Sequence, residues 1–313
     1  MVNAALDSPV MAADSPYAER IARVPVRRDE VAVRGGRTRL WVYGPDDAPH
    51  RVVFLHGLRG DHHGLEPILA HLDGVRVVVP DLPAFGASPP LPSDRHDVDG
   101  YAAWARELLA AVAPGGDAVL AGHSFGSIVA AAALTGEAAP PVRGLVLVNP
   151  IAAAALTGPR RFMTGLTVLH HRVAAALPEG AGTWLLRHPL VTRIASVAMA
   201  TTPDAALRRW IHAEHDRYFS TFAERRTLLE TFHASVRHDV TESAGEVPVP
   251  TLLVAADRDD IAPLAAQHAL VGRFPDARLA VVPGTGHLAH YEAPAAVATE
   301  VAAFLAALPQ RAG

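Results

Sequence analysis

The chain has no cysteine and no lysine among its 313 residues, and all 28 of its basic side chains are arginine. The absence of cysteine excludes a disulfide scaffold, a thiol nucleophile, cysteine-ligated zinc and iron–sulfur clusters. The absence of lysine excludes Schiff-base chemistry and the lysine of a nucleotide-binding P-loop. These two absences therefore exclude several large classes of enzyme.

The sequence also lacks a large excess of either positive or negative charge. The 28 basic residues stand against 32 acidic ones, which gives a formal net charge of −4. Proteins that bind nucleic acid or anionic membranes usually concentrate basic side chains, so this balance argues against either partner. No run of about 18 uncharged apolar residues occurs, which predicts no membrane span.

The N-terminal residues lack the pattern of a secretory signal. The segment Met1–Pro16 has neither a basic start nor an apolar centre, so we expect a cytoplasmic protein. We expect residues 1–25 to form an N-terminal arm before the folded core, with residues 1–20 loose. The oligomeric state is not indicated by any feature of the sequence.

Strand and helix patterns alternate over most of the chain. Short β-branched or apolar runs, each bounded by glycine, proline or aspartate, predict strands that are separated by helices of about three turns. The predicted strands are Glu30–Val33, Thr38–Tyr43, Arg51–Leu55, Val75–Val79, Ala118–Ala121, Leu145–Val148, Thr251–Ala255 and Leu279–Val282. This alternation predicts an α/β fold with a mostly parallel sheet and helices on both faces.

A helical region interrupts this alternation. Residues 151–245 have no strong strand pattern, and Thr183–Met199, Ala205–Phe222 and Glu224–Val236 have helical spacing. We therefore divide the folded chain into a core of 26–150 and 246–313 with a helical cap at 151–245. Five aromatic residues of the cap could line a substrate pocket, although packing of the cap on itself explains each of them better: Trp184, Trp210, Tyr218, Phe219 and Phe222. From these we select Trp210, Tyr218 and Phe222 as the candidates for contact with a substrate.

One pentapeptide has the pattern expected of a turn that holds a nucleophile. Gly122–Gly126 reads Gly-His-Ser-Phe-Gly, follows a predicted strand and begins a predicted helix. A tight turn in this setting projects the Ser124 hydroxyl above the sheet, and its flanking glycines avoid collisions with neighbouring backbone. The context predicts that Ser124 is a nucleophile.

A serine nucleophile needs a base, and the base needs an orienting carboxylate. His287 lies in a loop after the last predicted strand, where it can reach the carboxyl end of the sheet, and His290 is its competitor. The acid should follow the strand Thr251–Ala255. Three carboxylates occur there, and the residues alone do not separate them: Asp257, Asp259 and Asp260.

The developing oxyanion also needs two backbone N–H donors. One is expected at Phe125, directly after the nucleophile, which also places the Phe125 side chain against the substrate. The other is expected at Leu58, in the loop His56–Gly60 that follows a predicted strand.

Taken together, these residues resemble the α/β-hydrolase superfamily, in its serine-nucleophile branch with a helical cap. Four segments carry the resemblance: His56-Gly57, Pro80–Ser88, Gly122–Gly126, and Gly286-His287 followed by Glu292 and Pro294. The family's acid motif, a small residue, two others, Asp, three others and Pro, matches Ala256, Asp259 and Pro263. The resemblance therefore implies Asp259 as the acid, although Ala256 stands where the family usually has glycine.

The resemblance implies an esterase or lipase-like enzyme that hydrolyses a small-to-medium apolar carboxylic ester through an acyl-enzyme. It implies no cofactor and no metal, and the pair His212 and His215 lacks a third ligand. Two alternatives share the fold. One is a lyase, perhydrolase or cofactor-free oxygenase, and the other is a ligand-binding receptor.

Overall fold

A computed structural model of the chain describes residues 15–153, 161–219 and 221–309. Eight strands form one sheet in the order β1-β2-β4-β3-β5-β6-β7-β8. The strands β3 to β8 are mutually parallel, while β2 is antiparallel to β1 and to β4. Their bounds are Val26–Val33 (β1), Gly36–Tyr43 (β2), His50–Leu55 (β3), Val75–Pro80 (β4), Ala118–His123 (β5), Gly144–Val148 (β6), Thr251–Ala256 (β7) and Ala277–Val282 (β8).

Helices cover both faces of this sheet. Alternate residues of each central strand point to opposite sides, so Val53 and Leu55 pack in one apolar core while Val52 and Phe54 pack in the other. Every residue of β5, β6 and β7 is buried, which explains why their sequences lack polar alternation. The predicted α/β fold with a mostly parallel sheet is confirmed.

Twelve α-helices accompany the strands in the described part of the chain. They are α1 (Ala18–Ile21), α2 (Glu66–Leu69), α3 (Val98–Val112), α4 (Phe125–Ala133), α5 (Arg161–Ala176), α6 (Glu179–Arg187), α7 (Pro189–Met199), α8 (Ala205–Tyr218), α9 (Arg225–Arg237), α10 (Leu264–Val271), α11 (Ala289–Glu292) and α12 (Pro294–Ala307). None of these helices has the length and hydropathy needed to cross a membrane.

Five consecutive helices, α5 to α9, stand between β6 and β7 and are called the helical insert below. The single helix predicted over Thr183–Met199 is wrong, because α6 ends at Arg187 and α7 begins at Pro189. Proline lacks the N–H that would continue α6, and it disfavours helical dihedrals in the preceding His188. His188 instead caps α7 by accepting a hydrogen bond from the Leu190 amide at 3.2 Å.

One further expectation differs from the structure. The described end of the predicted N-terminal arm is not loose: Ile21 is buried, and the Tyr17 hydroxyl donates to the Tyr291 carbonyl at 2.7 Å. Residues 1–14 of that arm lie outside the described part.

Candidate active site

Ser124 occupies the turn between β5 and α4, at the carboxyl end of the central strand. Its backbone is strained, with φ 51° and ψ −119°, and its amide donates to the Val148 carbonyl at 3.1 Å. A Cβ on Gly122 would lie 2.2 Å from the Gly126 carbonyl oxygen, and one on Gly126 would lie 2.4 Å from the Leu55 carbonyl oxygen. The flanking glycines are therefore required by close backbone contacts.

Three side chains from separate loops form one hydrogen-bonded line. His287 Nε2 lies 2.9 Å from Ser124 Oγ, and His287 Nδ1 lies 2.8 Å from Asp259 Oδ2. A carboxylate only accepts hydrogen bonds, so Nδ1 carries the ring proton and Nε2 is left to accept from the serine hydroxyl. The sequence-predicted residues Ser124, His287 and Asp259 are thus brought together in the order that proton transfer requires.

Asp259 is almost fully buried and uses both carboxylate oxygens. Oδ2 also accepts from Asn149 Nδ2 at 3.0 Å, while Oδ1 accepts from the amides of Ile261 and Ala262 at 2.9 and 3.0 Å. Burial opposes ionisation, but His287 and these hydrogen bonds outweigh it, so the pKa of Asp259 lies below its ordinary value. The carboxylate therefore remains charged beside the imidazole.

The competing candidates take other places. Asp257 Oδ1 accepts from the Gly284 amide at 2.7 Å and so supports the loop that carries His287. Asp260 borders the cavity described below. The ring of His290 packs on that of His123 with centroids 4.0 Å apart, and burial holds the pKa of His290 well below the ordinary value.

The two residues expected to donate to the oxyanion lie next to Ser124, Phe125 in the chain and Leu58 in the fold. Phe125 begins α4 directly after Ser124, and Leu58 follows Gly57, where an added Cβ would lie 3.2 Å from Ser124 Cβ. Both Leu58 and Phe125 border the same cavity as Ser124. Within the described residues, neither amide is paired with an acceptor.

His56 fixes the orientation of this oxyanion loop, a role that the sequence did not indicate. The Leu82 amide donates to His56 Nε2 at 2.8 Å, so the ring proton is on Nδ1, which donates to the Gly57 carbonyl at 2.8 Å. That carbonyl and the Leu58 N–H belong to one planar trans peptide and point in opposite directions. Holding the carbonyl therefore aims the N–H.

Arg59, the next residue, ties the oxyanion loop to the helical insert. Its guanidinium donates from Nη2 to the Leu186 carbonyl at 2.8 Å and from Nε to the Phe219 carbonyl at 3.0 Å. Both acceptors lie at helix C-termini, of α6 and α8, where the helix dipole favours a cation. Burial lowers the pKa of Arg59 to about 10, so it remains charged at neutral pH.

Glu292 makes a second connection between the insert and the catalytic loops. Its carboxylate accepts from the amide and hydroxyl of Thr201 at 2.5 and 2.6 Å, and from the Thr202 amide at 2.9 Å. The same carboxylate accepts from the Gly286 amide at 3.3 Å, immediately before His287. The position of the base is therefore linked to the segment between α7 and α8.

A cavity of about 560 Å³ lies between the strand ends and the insert. Ser124 and His287 are on its wall, together with apolar side chains from the core and from α5, α7 and α9. The apolar part of the lining includes Leu58, Phe125, Ile151, Val191, Ala195, Met199, Phe219, Phe232 and Ile261. Such a lining fits an uncharged apolar group next to the serine hydroxyl.

Of the four expected substrate contacts, only Phe125 borders this cavity. Trp210 packs edge-on against Tyr291, and Tyr218 stacks on His63 with centroids 3.9 Å apart. Phe222 lies under the Arg187 guanidinium, 4.7 Å from its ring centroid. Phe219, which the sequence also offered as a possible pocket residue, does border the cavity, whereas Trp184 does not. Phe232 borders it as well, although the sequence did not single it out.

Two histidine clusters have the composition of a metal site, and both are occupied by other contacts. His212 and His215 both direct Nδ1 at the Ser196 hydroxyl, at 2.6 and 2.7 Å, so these two ring nitrogens are already engaged in hydrogen bonds. Asp61, His62 and His63 bring potential ligand atoms within 4.8 Å of one another. However, the Nδ1 atoms of His62 and His63 are hydrogen-bonded to the carboxylates of Asp81 and Asp61, and the two rings contact each other at a tilt of 37° with centroids 3.9 Å apart.

Comparison with known proteins agrees with this geometry. Residues 52–300 match the family described as the alpha/beta hydrolase family. The chain belongs to the alpha/beta hydrolase family. Among solved structures, a thermophilic esterase from Thermogutta terrifontis superposes with a TM-score of 0.69 over 90% of this chain and 98% of its own, at 21% identity.

Two curated relatives have different activities in their names. The polyketide synthase ThaQ of Burkholderia thailandensis is 32% identical over 221 residues, which is 69% of this chain but 10% of the synthase. The chain thus spans about a tenth of the length of that relative. A putative carbamate hydrolase, RutD of Klebsiella pneumoniae, is 28% identical over 200 residues, covering 63% of this chain and 68% of RutD.

Proposed function

We propose that the protein is a serine hydrolase that cleaves small-to-medium apolar carboxylic esters through an acyl-enzyme. The observation that carries this proposal is the line Ser124–His287–Asp259 on the wall of a largely apolar cavity. The line supplies an activated nucleophile, and the cavity supplies a place for an apolar acyl or alcohol group. The helical insert is, in this proposal, the cap that completes the cavity.

Acylation begins when Ser124 Oγ attacks the ester carbonyl carbon. His287 Nε2 accepts the hydroxyl proton over the observed 2.9 Å contact and becomes an imidazolium. Asp259 holds the ring in the required tautomer and stabilises its positive charge without taking the proton. The N–H groups of Leu58 and Phe125 donate to the oxyanion of the tetrahedral intermediate.

Collapse of that intermediate breaks the bond to the alcohol oxygen. His287 returns its proton to the leaving alkoxide, and the acyl group remains on Ser124. Water then attacks the acyl carbonyl carbon while His287 Nε2 takes one of its protons, and the second intermediate releases the carboxylic acid and restores the Ser124 hydroxyl. None of these steps needs a metal or a redox cofactor.

The first test is hydrolysis of a p-nitrophenyl ester series of increasing acyl length by the wild type and by Ser124→Ala. We expect turnover that peaks at one chain length and that Ser124→Ala abolishes. Replacing cavity-lining Ala195 by leucine should move the peak to shorter chains, whereas Ala206→Leu, on the exposed face of α8, should not. Activity that Ser124→Ala retains would instead favour base-only lyase, perhydrolase or oxygenase chemistry.

The putative carbamate hydrolase among the relatives extends the substrate panel to carbamates, and a thioester is added as a second change of leaving group. Both compounds react through the same tetrahedral step, because each presents a carbonyl with a leaving group to the serine hydroxyl. An ester, a carbamate and a thioester with the same acyl chain therefore separate leaving-group preference from acyl-pocket fit. We expect the ester to have the highest kcat/KM of the three. Tight binding of a panel member without turnover would favour the receptor alternative.

A further inference from the structure

The insert exposes an apolar surface that the proposed reaction does not explain. On α5 the exposed apolar side chains are spaced by three and four residues, and on α7 by four and three, so each helix presents one apolar stripe. Together with the tryptophan of α6 they form what we call the apolar face: Leu166, Leu169, Val173, Trp184, Leu190, Ile194 and Val197. Among the large apolar side chains that the described residues expose, only Leu177 and Val281 lie outside it.

The amphipathicity of α7 is inverted relative to a helix that packs on a core. Its fully buried residues are Thr192 and Ser196, whereas Leu190, Ile194 and Val197 are more than half exposed. Ordinary surface helices bury the apolar stripe and expose the polar one. Contiguous exposed apolar surface of this kind marks a site that contacts another apolar surface.

Charge around the apolar face indicates the kind of surface. Residues 165–199 contain Arg172, Arg187 and Arg193 against Glu179 alone, a net charge of +2, so the remainder of the chain carries −6. Arg193 forms an ion pair with Asp216, and Glu179 forms one with Arg225, so the charge that neither pair neutralises lies on Arg172 and Arg187. The overall net charge argued against an anionic membrane partner, but it conceals this uneven distribution. A second copy docking by two-fold symmetry would place +2 against +2, whereas anionic phospholipid attracts the same side chains.

The apolar face is also continuous with the cavity. Leu166 and Ile194 belong to both, and Val191 of α7 lines the cavity next to them. An amphiphilic molecule in a lipid surface that contacts the apolar face would therefore have an apolar path towards Ser124. Trp184, with 64% of its surface exposed, presents the residue type that prefers the boundary between lipid and water.

We propose that α5, α6 and α7 dock on a negatively charged phospholipid surface, with the apolar face immersed and the flanking arginines against the headgroups. Docking itself does not depend on catalysis. Its consequence for substrate choice, that the acyl ester is drawn from the lipid phase, rests on the proposed function. Helices of this type lie in the interface plane and need no membrane span.

The test uses the catalytically silent Ser124→Ala chain and vesicles of phosphatidylcholine, alone or mixed equally with phosphatidylglycerol. We expect the Ser124→Ala chain to float with the mixed vesicles. Adding Leu169→Glu and Val197→Glu, neither of which lines the cavity, should reduce its partitioning onto these vesicles at least about tenfold. Val281→Glu changes an exposed apolar residue on β8, outside the apolar face; it is the control and should leave binding unchanged. Arg172→Gln should weaken binding about fivefold.

Tryptophan fluorescence reports the docking geometry directly. Trp41, Trp104 and Trp210 are at most 5% exposed, so a blue shift on vesicle addition, and quenching by brominated acyl chains, should come from Trp184 and vanish in Trp184→Phe. Absence of binding, or equal binding of the double glutamate variant, would overturn the proposal. So would a dimer in light scattering that the double variant converts to a monomer, because a second copy would then cover the face.

Failure of docking and failure of the proposed function are distinguishable. Docking is measured on a chain that cannot turn over, and hydrolysis of a soluble short-chain ester is measured without lipid. If the ester is not hydrolysed but Ser124→Ala still binds anionic vesicles, the docking inference stands and the proposed reaction fails. The double glutamate variant in the Ser124 background should keep wild-type activity on the soluble ester.

Discussion

His56→Leu removes the side chain that holds the oxyanion loop while keeping its volume. The change deletes the Nδ1–H donor to the Gly57 carbonyl and the Nε2 acceptor for the Leu82 amide, at 2.8 Å each. Two lost hydrogen bonds and one buried, unpaired N–H should lower the free energy of unfolding by about 3 kcal/mol. The Gly57 carbonyl would then be held by the Gly60 amide alone, at 3.1 Å, so the direction of the Leu58 N–H would be less tightly fixed.

A Leu58 N–H that is less well directed at the oxyanion should lower kcat. Deleting an oxyanion donor outright costs about 10² to 10³ in kcat, and a donor that is misdirected rather than deleted should cost about 10 to 100-fold. Substrate binding uses other groups, so KM should change little. Steady-state hydrolysis of a soluble p-nitrophenyl ester, below the unfolding temperature of the variant, measures both quantities.

Two further variants test whether the loss of kcat comes from the orientation of the Leu58 N–H. His56→Gln offers an amide N–H and a carbonyl oxygen, so it should recover part of kcat. His71→Leu removes a similar histidine-to-carbonyl bond, to Pro67 at 2.9 Å, away from the site, and should leave kcat unchanged. An unchanged kcat with a raised KM in His56→Leu would refute the positioning argument.

Three further predictions concern the acid, the loop contacts and pH. Asp259→Asn should lower kcat about 10⁴-fold because the amide favours the wrong imidazole tautomer, whereas Asp257→Asn keeps an oxygen for the Gly284 amide and should stay near wild type. Glu292→Gln weakens four hydrogen bonds and should lower kcat about tenfold and the unfolding free energy by about 2 kcal/mol, measured by kinetics and urea denaturation. Burial raises the pKa of Glu214 to about 7, so the Glu214 carboxyl holds its proton more tightly in the folded state than in the unfolded state. The free energy of unfolding of the wild type therefore falls as pH rises from 4.5 through 7. Glu214→Gln should therefore be more stable than wild type by about 3 kcal/mol at pH 8.5 and by much less at pH 5, and equal differences at both values would contradict this explanation.

The sequence indicated the fold and the three side chains of the hydrogen-bonded line because both depend on local patterns. Continuous apolar runs predict strands that are buried on both faces, and β5, β6 and β7 are of this kind. The glycines around Ser124 reflect backbone contacts within one turn, so they are visible without the rest of the structure. For Asp259, the order of the motif favoured the residue that contacts His287, although local sequence did not separate it from Asp257.

The side chains that support the site were not predictable, because their partners are distant in sequence. Arg59 contacts carbonyls 127 and 160 residues away, and Glu292 contacts Thr201 across 91 residues. An arginine in a glycine-containing loop is ordinarily a solvated surface residue, yet Arg59 is buried at two helix ends. In the insert, helical spacing identified apolar faces but did not indicate which face meets the cavity, which meets the core and which meets solvent.

The proposed reaction depends on the activation of Ser124 by His287. Intact mass of the wild type and of Ser124→Ala after incubation with a fluorophosphonate probe tests this activation most directly, because the probe phosphonylates an activated serine. We expect one adduct on the wild type, mapped to the peptide that contains Ser124, and none on Ser124→Ala. An unmodified wild type, or the same adduct on both chains, would contradict it.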